Sequence, residues 1–245
     1  MSTERERALM PILLGLTVVT GLVDAASILG LGRVFTANMT GNIVFLGFAA
    51  AGAPGHSFFR SSAALVAFFL GAVAGGRIGL PLGVGAARRP VSMALGCEAA
   101  LLLAATGVAL GCGSDLIELP VRLYSAIVLT GVAMGIRNAV IRKLAIPDLT
   151  TTVLTLTLTG LAADSPLAGS DGPRRGRRIA SILCMSVGAA AGAWLLRRSV
   201  ALVLGVAFAV SAFCTLAGWR RLARAEGELQ GKTYATQSGS SAWEA

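Results

Sequence analysis

Residues 21–47 read GLVDAASILGLGRVFTANMTGNIVFLG. Both ends of this stretch are as apolar as any part of the chain. Yet it holds an aspartate, Asp24, and a knot of four hydrogen-bonding side chains, Thr36, Asn38, Thr40 and Asn42. In a soluble domain such a knot would be a surface loop. Here the flanks are long enough to lie in a bilayer, so the knot must be buried in protein or line a cavity, the only places where irregular backbone survives at membrane depth.

The rest of the chain supports the membrane reading. Of 245 residues, 55% are hydrophobic and only 13% charged, against roughly 25% charged in a soluble domain, and the mean hydropathy is +0.75. The net charge is +9, which in a soluble protein would raise nucleic acid as a partner. These Arg and Lys residues instead cluster at the ends of apolar runs, where they set orientation and meet anionic headgroups. The partner this implies is the lipid bilayer, with no nucleic acid. Cys97, Cys112, Cys184 and Cys214 fall in or beside apolar runs without metal-ligand spacing and read as small core residues. The start, MSTERERALMPILLGLTVVTGLVDA, resembles a signal peptide. However, its apolar run outlasts the usual h-region of roughly 7–15 residues, so we read it as a retained first helix.

Eight apolar segments can be marked, at about 8–32, 36–53, 61–81, 91–112, 120–142, 150–163, 178–196 and 199–219. Segment 150–163 is too short for the ~30 Å hydrocarbon core, and 36–53 opens on the polar knot. Both fit re-entrant or broken helices. The expected organisation is one transmembrane domain over 1–225, with a disordered C-terminal tail over 226–245.

The halves resemble each other. Gly21-Leu-Val-Asp24-Ala25 aligns with Gly135-Ile-Arg137-Asn138-Ala139, and Thr36 with Thr150. Thr36-x-x-x-Thr40 aligns with Thr151-x-x-x-Thr155, and Gly71-x-x-x-Gly75 with Gly188-x-x-x-Gly192. The matches keep one order at a nearly constant spacing, which points to duplication. Repeat 1 covers about 8–112 and repeat 2 about 120–219.

Charge then bears on the number of crossings. With the N-terminus cytoplasmic, making the two short segments re-entrant moves Arg88, Arg89, Arg142 and Lys143 to the cytoplasmic side. Only Arg60 and Arg122 move away from it. The positive-inside rule prefers that arrangement. The expected fold class is therefore an all-α polytopic membrane helix bundle with an internal two-fold repeat. In this reading the repeats are inverted, with three crossings and one short re-entrant or broken helix each. The alternative is eight full spans in parallel repeats. Inverted repeats with broken helices are the plan of many secondary transporters.

Equivalent residues of two repeats converge near their axis. The candidate solute or proton site is therefore Asp24, Asn38, Thr40 and Asn42 from the first half, with Asn138, Thr151 and Thr155 from the second. Arg137 adjoins it, although neighbouring helix positions point about 100° apart. Amides and hydroxyls can donate and accept, half-helix N-termini suit anions, and an intramembrane carboxylate is a candidate proton carrier. Each Thr taken alone is also explained by bonding between helices or back to its own helix. Glu98 reads equally as a working carboxylate or as the structural partner of an arginine. The Gly-x-x-x-Gly pairs read as packing seams. The sequence holds no G-x-S-x-G, H-E-x-x-H or Walker motif, and its single histidine, His56, sits in a loop. It therefore suggests neither an enzyme nor a metal or other cofactor.

The stretches GLVDAASILGLGRVFTANMTGNIVFLG and MGIRNAVIRKLAIPDLTTTVLTLTLTGLAAD resemble the two signature regions of the YoaK-like family, bacterial membrane proteins of unknown function. The resemblance runs over about 8–219. It departs at Arg137, where the family has Gln, and at Leu156, where it has Gly. What it implies is a bacterial membrane location and a shared fold, with no substrate. The expectation is a small permease for a polar or anionic solute, possible as a homo-oligomer, in the bacterial inner membrane with both termini cytoplasmic. The rival is a scaffold whose polar knot only joins helices.

Overall fold

A computed structural model describes residues 3–84, 88–113, 116–144, 154–169 and 174–240. Eight α-helices follow in order: α1 Thr3–Gly30, α2 Met39–Ala50, α3 Phe58–Ile78, α4 Arg88–Ala109, α5 Pro120–Leu144, α6 Thr155–Ala163, α7 Arg175–Leu196 and α8 Val200–Ser240. No strand occurs among the described residues.

Six of these helices are long and apolar enough to cross a membrane. The other two are not. α2 has 12 residues and α6 has 9, which at 1.5 Å per residue is about 18 Å and about 14 Å, short of the ~30 Å core. Among the described residues six helices, not eight, have the length of a full span. Local chemistry marks the helix ends. Ser57 accepts the Arg60 N–H at the start of α3, Pro120 opens α5, and Arg142 and Lys143 sit in its last turn, where cations favour the helix dipole. The tail differs from the expectation. α8 continues past Trp219 to Ser240, through a Pro-free stretch whose first turns are rich in Arg, Ala, Leu and Glu, all good helix formers.

The spans alternate in direction. At one end the Leu116 N–H donates to the Gly30 carbonyl and the Val200 N–H to that of Gly113, while Arg122 donates to Leu110 O at 2.9 Å. At the other end Lys143 Nζ donates to Gly76 O at 2.6 Å, Arg177 pairs with Glu6, and the Arg88 guanidinium stacks 3.6 Å over Trp219.

α1 and α5 form the centre. α7 packs along α1 and α3 along α5, while α4 and α8 pack on each other and against α5 and α1. The core joins Val19, Leu22 and Ala26 of α1 to Ala133 and Met134 of α5 and to Leu204 and Ala207 of α8. Glycine permits the two closest crossings. A methyl on Gly71 would collide with the Val132 backbone, and one on Gly75 with that of Ile136. A methyl on Gly188 would meet Val18, and one on Gly192 would meet Leu22 and Ala25. Small residues allow this approach where lipid supplies no hydrophobic drive between helices.

Candidate functional site

The site begins where α1 ends. Gly32 (φ 77°) and Arg33 (φ 60°) take left-handed backbone conformations and reverse the chain. Residues 34–38 then run back into the bundle without helical structure, so the first half of the polar knot is not part of α2. Val34, Thr36 and Ala37 are buried there. Two side chains hold this segment down. The Asp24 carboxylate faces the Ala37 N–H. Asn42 takes the Phe35 N–H on Oδ1 at 2.9 Å and donates Nδ2 to the Phe35 carbonyl at 2.6 Å. Phe35 also stacks on Phe45, with ring centroids 5.6 Å apart. Asp24 lies about 9 Å below the end of α1 by helical rise, so α2 starts inside the bundle.

Below that start lies a cavity of about 660 Å³. Ala37, Asn38, Met39 and Thr40 line it from the returning segment and α2; Phe68, Ala72 and Gly76 from α3; Asn138, Ala139, Arg142 and Lys143 from α5. Its far wall is the end of the bundle where Lys143 meets Gly76. Asn38 makes no capping bond, and no acidic residue stands in the first turn of α2. The positive end of that helix dipole therefore faces the cavity. Asn138 is half-buried and donates Nδ2 to its own Met134 carbonyl at 2.8 Å.

The candidate residues separate. Asn38, Thr40 and Asn138 line the cavity together. Asp24 sits behind its wall, joined to it through Ala37. Asn42 does not line it; its amide is consumed by the backbone of Phe35. Asn42→Ala is expected to cost about 1 kcal/mol per lost bond, read as a lower unfolding temperature in detergent. An unchanged temperature would remove this residue from the loop's support. Thr155 is exposed on α6 and away from the cavity. Thr151 lies outside the described residues.

Arg137 turns the other way, as the angle between neighbouring helical positions requires. It is fully buried rather than anchored at a bundle end. Its Nη1 reaches Glu98 Oε1 at 2.9 Å and Leu16 O at 3.2 Å, and its Nη2 reaches Thr20 Oγ1 at 2.6 Å. One guanidinium thus ties α5 to α4 and α1, and Glu98 is its structural partner. Ser211 of α8 faces Glu98, though neither Ser211 Oγ nor Glu98 Oε2 reaches hydrogen-bonding geometry. A second buried arginine, Arg178, holds α6 to α7. It pairs with Asp164 at 2.7 Å and donates to the Gly160 carbonyl.

Along the sequence Arg142 and Lys143 mark topology only. The signal that could have placed them was available: Arg142 follows Asn138, and Lys143 follows Ala139, at the i,i+4 spacing that puts residues on one helix face.

A bundle of six membrane-length helices, with a short helix starting inside it above a cavity that Asn38, Thr40 and Asn138 help to line, defines a multi-pass α-helical membrane protein. Residues 12–217 match the family described as "Protein of unknown function (DUF1275)", and the chain belongs to that family. It is similar to the UPF0700 transmembrane protein YoaK of Bacillus subtilis (strain 168), with 37% identity over 154 residues. That match covers 61% of this chain and 64% of the relative, less than two thirds of the relative's length. No solved structure matches.

Proposed function

We propose that this protein is a small secondary transporter or permease of the bacterial cytoplasmic membrane, with both termini in the cytoplasm. It moves a small polar or anionic solute through two inverted repeats of three spans each. The observation that carries this reading is the cavity at the foot of α2, lined by Asn38, Thr40 and Asn138. A half-helix pointing its N-terminus at a polar cavity is how many secondary transporters hold solutes.

The packing supports the repeats. Gly71 lies on Val132 as Gly188 lies on Val18, and Gly75 lies on Ile136 as Gly192 lies on Leu22. Each pair occupies equivalent places in the two aligned halves. The second span of each half thus crosses the first span of the other. Three spans per half reverse the second half relative to the first. The cavity is assigned no catalytic chemistry.

The direct test is solute uptake into proteoliposomes. Asn138→Leu is expected to abolish uptake, and Asp24→Asn to remove its response to an imposed proton gradient. Absence of flux for every solute class would favour the scaffold reading, which draws on the purely structural use of Asn42. Topology is tested separately. In a cysteine-free background, an impermeant thiol reagent is expected to label Ala51→Cys from outside intact cells. Labelling only after permeabilisation would sink the re-entrant arrangement of α2.

A further inference from the structure

The cavity has a one-sided charge. Among the described residues Arg142 and Lys143 line it, and no Asp or Glu does. Lys143 donates once, to Gly76 O, which leaves the rest of its ammonium's three donors and its full charge. The N-terminus of α2 adds positive potential from the same side as Asn38. Asp24 does not line this wall; it lies behind it, facing Ala37. Among the described lining residues a cationic solute would meet two like charges and no counter-charge. A neutral solute would leave both cations unused.

The wall is not polar throughout. Phe68, Ala72 and Met39 form an apolar side, and about 660 Å³ falls within the ~300–1,000 Å³ of pockets that hold organic ligands rather than single ions. We propose that this cavity takes a small organic anion. Its carboxylate- or sulfonate-type head lies between Arg142, Lys143 and the N-terminus of α2, and its apolar body lies against Phe68 and Met39. The assignment rests on the permease reading and names its solute class.

The shared chemistry is an oxyanion, which a soluble solute or the headgroup of an anionic lipid could supply. Full-length protein in phosphatidylcholine vesicles is therefore compared with the same protein in vesicles containing phosphatidylglycerol. Benzenesulfonate, which stays charged and crosses bilayers poorly, is the probe. Neutral benzenesulfonamide and inorganic sulfate are its controls. The expected result is a rise in unfolding temperature with benzenesulfonate in phosphatidylcholine alone, a smaller rise with sulfate and none with the sulfonamide. Arg142→Gln and Lys143→Gln are each expected to weaken the apparent affinity about tenfold, the scale of one charge-assisted contact. Arg142→Lys and Lys143→Arg keep the charge and should retain most of it, which separates loss of charge from loss of fold.

Equal protection by the sulfonamide or by sulfate overturns the proposal. So does protection that survives both Gln substitutions, or protection that comes from phosphatidylglycerol only. Uptake distinguishes this failure from failure of the permease reading. Flux of a neutral solute that Asn138→Leu blocks and Arg142→Gln leaves intact would sink the anion and keep the permease. Charge-dependent protection without any flux would keep the anion site and sink the permease.

Discussion

Glu98→Ala is expected to destabilise the bundle by about 3–5 kcal/mol, the usual cost of removing one partner of a buried ion pair. Both side chains of the Arg137–Glu98 pair are fully buried. Without Glu98, the guanidinium keeps only neutral acceptors, Leu16 O, Thr20 Oγ1 and Met134 Sδ. Among the described residues the other acid whose charge reaches it is Asp24, which makes no hydrogen bond to it, so compensation is partial. Replacing both members should cost much less than removing one, because the penalty is the uncompensated charge and not the loss of the pair itself. Glu98→Gln with Arg137→Gln is therefore expected to recover most of the unfolding temperature that Glu98→Ala loses. The measurement is thermal unfolding in one detergent across the single and double variants. If Glu98→Ala melts with the wild type, the pair does not brace the core. If the double variant melts as low as the single, the loss is one of packing.

The second large effect concerns the glycine crossings. Gly71→Leu and Gly188→Leu are each expected to cost at least the ~1–3 kcal/mol typical of overpacking. In both cases the obstruction is the backbone of the facing helix, at Val132 and at Val18, which cannot rotate aside as a side chain can. The helices must separate, and the contacts along α3–α5 or α1–α7 separate with them. Gly107→Leu is the control. Nothing lies within 4 Å of a methyl built there, and leucine favours a helix more than glycine does, so it should be neutral or slightly stabilising. Similar losses at Gly71 and Gly188 are what two equivalent crossings require. A neutral Gly188→Leu would leave the repeat reading with only one of its two crossings.

The alternation of long apolar runs with basic clusters, the shortness of 150–163 and the polar start of 36–53 were all legible along the chain. They follow from hydropathy and length, which are one-dimensional. A helix must cover about 30 Å of hydrocarbon, and its residue count says whether it can. The Gly-x-x-x-Gly spacing at Gly71 and Gly188 was legible too, because four residues return to the same helix face.

Partner choice was not legible. Asn42 belonged to the polar knot by position, yet its amide turned onto Phe35, because the reversal at Gly32 and Arg33 brings that backbone beside α2. Arg137 and Asn138 are neighbours in sequence and lie on opposite business. One finds Glu98 on α4, and the other lines the cavity with Arg142. The 100° between consecutive helical residues was known in advance. The rotation of α5 about its own axis was not, because it is set by how Gly71 and Gly75 seat α3 against α5. The sequence by itself determined that this chain lives in a membrane and where it can cross. Only the packed helices decided which polar groups face a cavity and which brace the core, since that depends on helix rotation and on contacts between residues far apart in the chain.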